Sequence, residues 1–354
     1  MPEPIQPAQQ PPPDQPTPPA SAPRFALLVA GLSLLGGAAF PIQGRLNSEL
    51  AAESGDPVFA SLISFITGVA VMLVAVFATS YGRRAFSRVG PALRSGEVRW
   101  WYLLVGCIGV ALVFGQTLTI GVTGIAVFAV AVIAGQVLGG VLWDQLGLTP
   151  AGRKRLTAGR AAAAGLTLIA LGLIVLPHLR DQHHDGGLST LWLLTALIPL
   201  LGGIAGSGQQ VINGRQSAAY RSALPGTLFN YAAGTALLGL IYGVILLAHG
   251  GIPGISPVWW HYLGGPLGCL FIGISALLVA RAGALAAGLG VTAGQLVASL
   301  LLDIWWPAPG SAVSWLTVVG VGLAFAAVAL VMHSAAKTTT PAGGAAQPAQ
   351  APRD

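Results

Sequence analysis

From residue 25 to residue 333 the chain alternates between long apolar blocks and short polar connectors. A block of about twenty apolar residues, wound as an α-helix, crosses about 30 Å of hydrocarbon. The pattern predicts ten membrane-spanning helices, at 25–46, 58–80, 101–121, 124–144, 157–177, 189–211, 225–248, 259–280, 283–304 and 312–333. The third and fourth join through a tight turn near Thr123–Gly124. Outside the blocks lie three segments of different character. Residues 1–24 form a Pro-rich tail with ten prolines in the first 23 positions, residues 178–188 form a loop linker, and residues 334–354 form a second polar tail rich in Pro, Ala and Gly. Both tails read as disordered, because neither offers enough apolar surface to offset the entropy of ordering. The N-terminal tail lacks the early basic region and prompt apolar core of a cleaved signal peptide.

Composition agrees with a chain whose solvent is lipid. Of its 354 residues 54% are hydrophobic and 8% are charged, whereas soluble domains carry about a quarter charged residues. Glycine occurs 49 times, and small residues let membrane helices approach closely, where packing drives association. The net charge of +6 does not point to nucleic acid, because the basic residues sit in short loops between apolar blocks. They read as topology determinants. Fifteen of the 17 Lys and Arg residues fall on the side of the ten-span chain that holds the N-terminus, leaving Arg45 and Arg180 on the other. The positive-inside rule then places both termini in the cytoplasm of a bacterial-type inner membrane. Cys107 and Cys269 both lie inside apolar blocks, so no disulfide framework follows.

Two halves of the chain repeat one another. At an offset of 166, Gln43 falls on Gln209, Asn47 on Asn213, Leu62 on Leu228 and Gly68 on Gly234, with Phe65 over Tyr231. At an offset of 159, Trp100-Trp101 falls on Trp259-Trp260, Gly106 on Gly265, Gly109 on Gly268, Gly124 on Gly283, Ala134-Gly135-Gln136 on Ala293-Gly294-Gln295, and Asp144 on Asp303. The offset shifts because the basic loop 83–99 is longer than its counterpart 249–258. Five spans per half is an odd number, so the second half enters the membrane from the opposite face. The expected fold is therefore all-α and integral to the membrane, with ten transmembrane helices as two inverted five-helix repeats, 25–177 and 189–333. Such an arrangement is common in secondary carriers, where the two halves exchange conformations about a central site.

Polar residues inside the spans are the candidates for that site. Gln43 and Asn47 are four residues apart and share a helix face, as do Gln209 and Asn213. With Ser64, Asn230, Gln136 and Gln295 they make a candidate substrate pathway. The competing reading is interhelical hydrogen bonding that only joins the halves, worth about 0.6 kcal/mol per contact on average. Asp144 and Asp303 are matched acids at span ends, candidates for ion coupling or for a plain helix-end contact. Arg281 ends the eighth span and reads as snorkelling to headgroups. His183, His184, Asp181 and Asp185 cluster in the linker, where solvation outweighs metal binding. No cofactor, resident metal or nucleotide-binding loop is expected, and no cluster has catalytic spacing for an enzyme.

These residues carry a resemblance. The run Gln43-Gly44-Arg45-Leu46-Asn47, with Ser61-Leu62-Ile63-Ser64-Phe65 and Gly68, resembles the first signature of the YdcZ-like family of the drug/metabolite transporter superfamily. The run from Ala134-Gly135-Gln136 to Asp144 resembles its fourth-helix signature, and both recur in the second half. The chain resembles the fused, two-half form over about residues 25–333. It departs from symmetry at Arg45, whose repeat partner is Val211. The resemblance implies a carrier moving a small metabolite or cation across the inner membrane by alternating access, with membrane lipids around it. A homo-oligomer is left open. The alternatives are a flippase for lipid-linked substrates and a non-transporting structural subunit.

Overall fold

The computed structural model describes residues 22–147, 156, 158–182, 190–251, 253–307 and 313–339. Among these residues the structure is helical, without strands. The elements are α1 (Ala22–Ser54), α2 (Pro57–Phe77), α3 (Ser80–Phe86), α4 (Val89–Arg94), α5 (Gly106–Thr123), α6 (Ile125–Gln145), α7 (Ala158–Gln182), α8 (Thr190–Tyr220), α9 (Leu224–His249), α10 (Gly264–Trp305) and α11 (Trp315–Thr339). Short 3-10 turns at Trp100–Leu104 and Trp259–Leu263 lead into α5 and α10. Among the described residues five stretches are long and apolar enough to cross a membrane: Leu27–Ser54, Pro57–Phe77, Trp100–Thr123, Ile125–Gln145 and Leu224–His249. Ala161–Leu176, Gly290–Trp305 and Trp315–Leu330 are shorter apolar helices.

Local chemistry explains where the helices begin and end. α1 stops at Gly55, whose φ of +69° suits a residue without a side chain. Asp56 then caps α2 by accepting hydrogen bonds from Val58 N at 2.8 Å and Phe59 N at 3.0 Å, with Pro57 opening the helix. The tight turn expected at Thr123–Gly124 is present as Gly124, at φ +85°, separating α5 from α6. Several helices outrun the apolar blocks. α1 continues to Ser54, α7 to Gln182 and α11 to Thr339. The basic loop 83–99 is not extended. It folds into α3 and α4, whose small and apolar residues Ala85, Val89 and Ala92 are buried. Val89 and Ala92 pack with Tyr102 and Tyr220, and most of the arginines remain outside.

The spans expected separately at 259–280 and 283–304 form one unbroken helical run, α10. A straight helix of 42 residues would reach about 63 Å. α10 is not straight, because its two arms lie along α1 in opposite directions. Gly264 meets Asn47, Ile274 meets Gly36, Gly290 meets Ser33 and Gly294 meets Gly37. Just beyond the second arm, the carbonyl of Pro307 accepts from Arg45 Nη2 at 3.1 Å. The chain therefore turns back between residues 278 and 290, within the helical run.

Two of the apolar clusters join the helices into a bundle. Leu62, Phe65 and Met72 of α2 interlock with Leu228, Tyr231 and Leu238 of α9. Val127, Val130 and Ile133 of α6 pack with Ala170 and Ile174 of α7 and with Val321 and Ala324 of α11.

Candidate functional site

The polar residues are placed by close helix crossings that pair one half of the chain with the other. Gly68 of α2 lies against the Tyr231 ring, and Gly234 of α9 lies against the Phe65 ring. Gly106 abuts the backbone of Asn230, and Gly265 abuts the backbone of Ser64. Gly37 abuts the backbone at Val291, Gly294 and Gln295, and Gly203 does the same at Val132, Gly135 and Gln136. Each contact maps onto its partner through the sequence offsets of 166 and 159.

Those crossings set the amides in two groups. In the first, Asn47 and Ser64 converge on Gly264. Asn47 is 0% exposed, and neither its amide oxygen nor its amide nitrogen has a hydrogen-bond partner; the Ser64 hydroxyl also has none. Gln43 lies one turn away beside Gly268 and the Tyr231 hydroxyl. In the second group the equivalent residues are bonded, with Asn230 Nδ2 donating to Asn213 Oδ1 at 2.9 Å. The Asn230 oxygen is left without a partner. Gln209 lies beside Gly109. A buried polar group left unpaired costs about 1–3 kcal/mol. These two groups therefore favour a partner that can both donate and accept hydrogen bonds.

The two groups differ in access. Gln43, Gly44, Asn47 and Ser48 of α1 are all buried. Their counterparts in α8 are more open, with Gln209 and Asn213 partly exposed and Gln210 and Gly214 exposed. At the closed end, Gln116 of α5 plugs against α1, donating from Nε2 to the Phe40 carbonyl at 3.1 Å. The matched position in α10 is Ser275, which is partly exposed and has an unpaired hydroxyl.

The remaining expected site residues lie elsewhere. Gln136 is partly exposed and Gln295 buried, and the backbone of each sits at a glycine crossing. Asp303 is 5% exposed and accepts from the free N–H groups of α6, Ile125 N at 2.8 Å and Ala126 N at 2.6 Å. That is a helix cap, placed where the helix dipole favours an anion. Asp144 is buried at the far end of α6. His183, His184 and Asp185 lie outside the described residues, as do residues 1–21 and 340–354 of the tails.

Sequence reasoning passed over two features. Gln116 is completely buried, but its repeat partner is a serine, so a search for matched residues misses it. An ionic cluster also stands at the closed end. Arg45 pairs with Glu49 at 2.6 Å, lies 5.2 Å over the Trp306 ring, and Glu49 and Glu53 flank His261. The Arg45–Glu49 spacing was readable as a helix pair. His261 was hidden behind Trp259-Trp260, which resemble an interfacial belt.

A helical bundle with five lipid-length apolar segments among the described residues, polar side chains inside it and glycine crossings between two matched halves is that of an integral membrane protein. The chain belongs to the family described as "Putative inner membrane exporter, YdcZ", which it matches over residues 28–175 and 194–330. It is thus a multi-pass protein of the inner membrane in a transporter family. None of the curated proteins matches it. Among solved structures, one described as "Crystal structure of protein" is 17% identical, covers 90% of this chain and 99% of its own, and superposes with a TM-score of 0.53. At that identity the likeness concerns the fold alone.

Proposed function

We propose that the protein is a secondary exporter of a small polar solute, working by alternating access between two inverted five-helix halves, 25–177 and 189–333. In this reading the two arms of α10 are the eighth and ninth spans. Both termini face the cytoplasm, and α8 opens toward it. The reciprocal glycine contacts support a twofold relation between the halves, and an odd number of spans per half puts the axis in the membrane plane.

The observation that carries the reading is the difference in access between matched residues. The Gln43–Asn47 face of α1 is sealed, while the Gln209–Asn213 face of α8 is open. A merely structural pair of halves has no reason to bury one copy of a polar face and expose the other. A carrier held in one of its two states does. Asn47, Ser64, Asn213 and Asn230 are the proposed solute contacts, with Gln43 and Gln209 beside them. Gln136 and Gln295 set the crossings on which the halves rock. Asp303 is proposed as a structural cap rather than a coupling group, and Asp144 as its repeat counterpart.

Reconstitution in liposomes with a panel of labelled polar metabolites tests the reading. Efflux of at least one solute is expected, falling by tenfold or more in Asn230→Leu, a loss of about 1.4 kcal/mol or more of solute binding. Movement of lipid reporters in place of soluble solutes would replace the exporter with a flippase.

A further inference from the structure

We propose that His261, held between Glu49 and Glu53, is a proton-binding site that locks the closed end of the bundle. The inference rests on the carrier reading only for the side of the membrane that this end faces.

The geometry sets both ring nitrogens of His261 against acids. Nδ1 lies 3.2 Å from Glu53 Oε2 and 3.2 Å from the Ser256 hydroxyl, and Nε2 lies 3.7 Å from Glu49 Oε2. The imidazole is buried, at 3% exposure, whereas the glutamates are 26% and 39% exposed. A neutral imidazole carries one N–H and one lone pair. With its N–H at Nδ1 given to Glu53, it turns the Nε2 lone pair toward Glu49. The imidazolium has an N–H on each nitrogen and serves both. A proton at Nε2 thus adds an ion-pair attraction to Glu49 at 3.7 Å to the Nδ1 contact with Glu53 at 3.2 Å.

The bridge ties together parts that must separate for this end to open. Glu49 and Glu53 belong to α1, while His261 belongs to the turn before α10. The charged and titratable groups around it are Arg45, which holds Glu49 on α1; Asp56, which caps α2; and Tyr262, whose hydroxyl donates to the Ser256 carbonyl at 3.0 Å. The described residues of the first arm of α10, 264–278, contribute no charge.

The opposite end carries the same contact in different chemistry. By the repeat offsets, His261 corresponds to Tyr102, Glu49 to Arg215 and Glu53 to Ala219. There Arg215 Nη1 donates to the Tyr102 hydroxyl at 2.9 Å. Phenol and guanidinium keep their charge across neutral pH. The two ends are related in structure, yet the histidine between two acids stands at one of them and the phenol–guanidinium pair at the other. The carrier would thus sense pH at the extracytoplasmic face.

The test reads the lock without any solute. The native Cys107 and Cys269 become serine, and spin labels are placed through Ala52→Cys and Gly254→Cys, both exposed positions flanking the cluster. Pulsed dipolar distances are measured in nanodiscs between about pH 5.5 and 8, the range over which histidine titrates. The short-distance population is expected to dominate at low pH, and the long-distance population to rise about threefold or more with pH. In His261→Gln the distribution should be independent of pH. Glu49→Gln with Glu53→Gln should also abolish the response while leaving His261 in place, which covers the case of a poorly folding His261 variant. A pH-independent distribution in the parent overturns the proposal, as does an undiminished response in either variant. An intact response in a protein that moves no solute would uphold the lock while refuting the carrier.

Discussion

At the scale of single residues, rarity drew attention to the acids and structure then explained one of them. Asp303 gives both carboxylate oxygens to the first two N–H groups of α6. Those donors have no partners within their own helix, and lipid offers none. Asp303→Asn keeps one acceptor oxygen and loses the charge that faces the helix dipole. We expect a loss of about 1–2 kcal/mol, read as a drop of about 3–6 °C in the melting temperature in detergent. Asp303→Glu reaches too far and should lose nearly as much. A proton-coupled role would instead leave the melting temperature of Asp303→Asn unchanged and abolish pH-driven flux. The matched pair Asp144 and Asp303 was legible in the sequence, because biased composition does not readily repeat an aspartate. Which backbone the acid reaches was not legible, since the acceptor and its donors are separated by 178 and 177 residues. Gln116 and His261 stayed unread for the opposite reason. They break the repeat, so a method built on matching passes them over.

At the scale of elements, helix propensity and helix packing make opposite demands on glycine. Gly106 lies where an added Cβ would meet the backbone of Asn230 rather than a movable side chain. Gly106→Ala must therefore push α5 away from α9. We expect about 1–3 kcal/mol of destabilisation from overpacking. Gly239 stands in α9 with nothing within 4 Å of an added Cβ. Gly239→Ala should be neutral or stabilising by up to about 1 kcal/mol, because alanine is the better helix former. Unfolding of both variants in mixed micelles measures the difference, and equal effects would show that the crossing is not tight. The apolar blocks were readable because their length is fixed by the thickness of the bilayer. The helical continuity of α10 was not, since glycine at 283 looked like the partner of the Gly124 turn. The basic loop hid α3 and α4 because their buried faces, Ala85, Val89 and Ala92, are too short and too small to show a period against five nearby arginines.

At the scale of the whole molecule, the internal repeat was legible but the state of the molecule was not. A repeat states which residues are equivalent; it says nothing of which copy is open. That difference is physical, because two equivalent halves related by a twofold axis can satisfy the same contacts in either of two asymmetric arrangements of similar energy. Ser48 and Gly214 are equivalent positions, one 5% exposed and the other exposed with nothing within 4 Å of an added Cβ. In a chain with Cys107 and Cys269 replaced by serine, Gly214→Cys should react with a membrane-impermeant thiol reagent in inside-out vesicles. Ser48→Cys should react at least about tenfold more slowly from either side, since a barrier of about 1.4 kcal/mol to opening already gives that factor. Raising the pH on the outer face should speed Ser48→Cys, measured against an exposed reference cysteine, and leave Gly214→Cys untouched, because the histidine–carboxylate contact lies at the Ser48 end. Equal reactivity of the two cysteines would mean that the halves are not held in one arrangement. Reactivity of both from the same face would mean that they are not inverted, and the exporter reading would lose the asymmetry on which it stands.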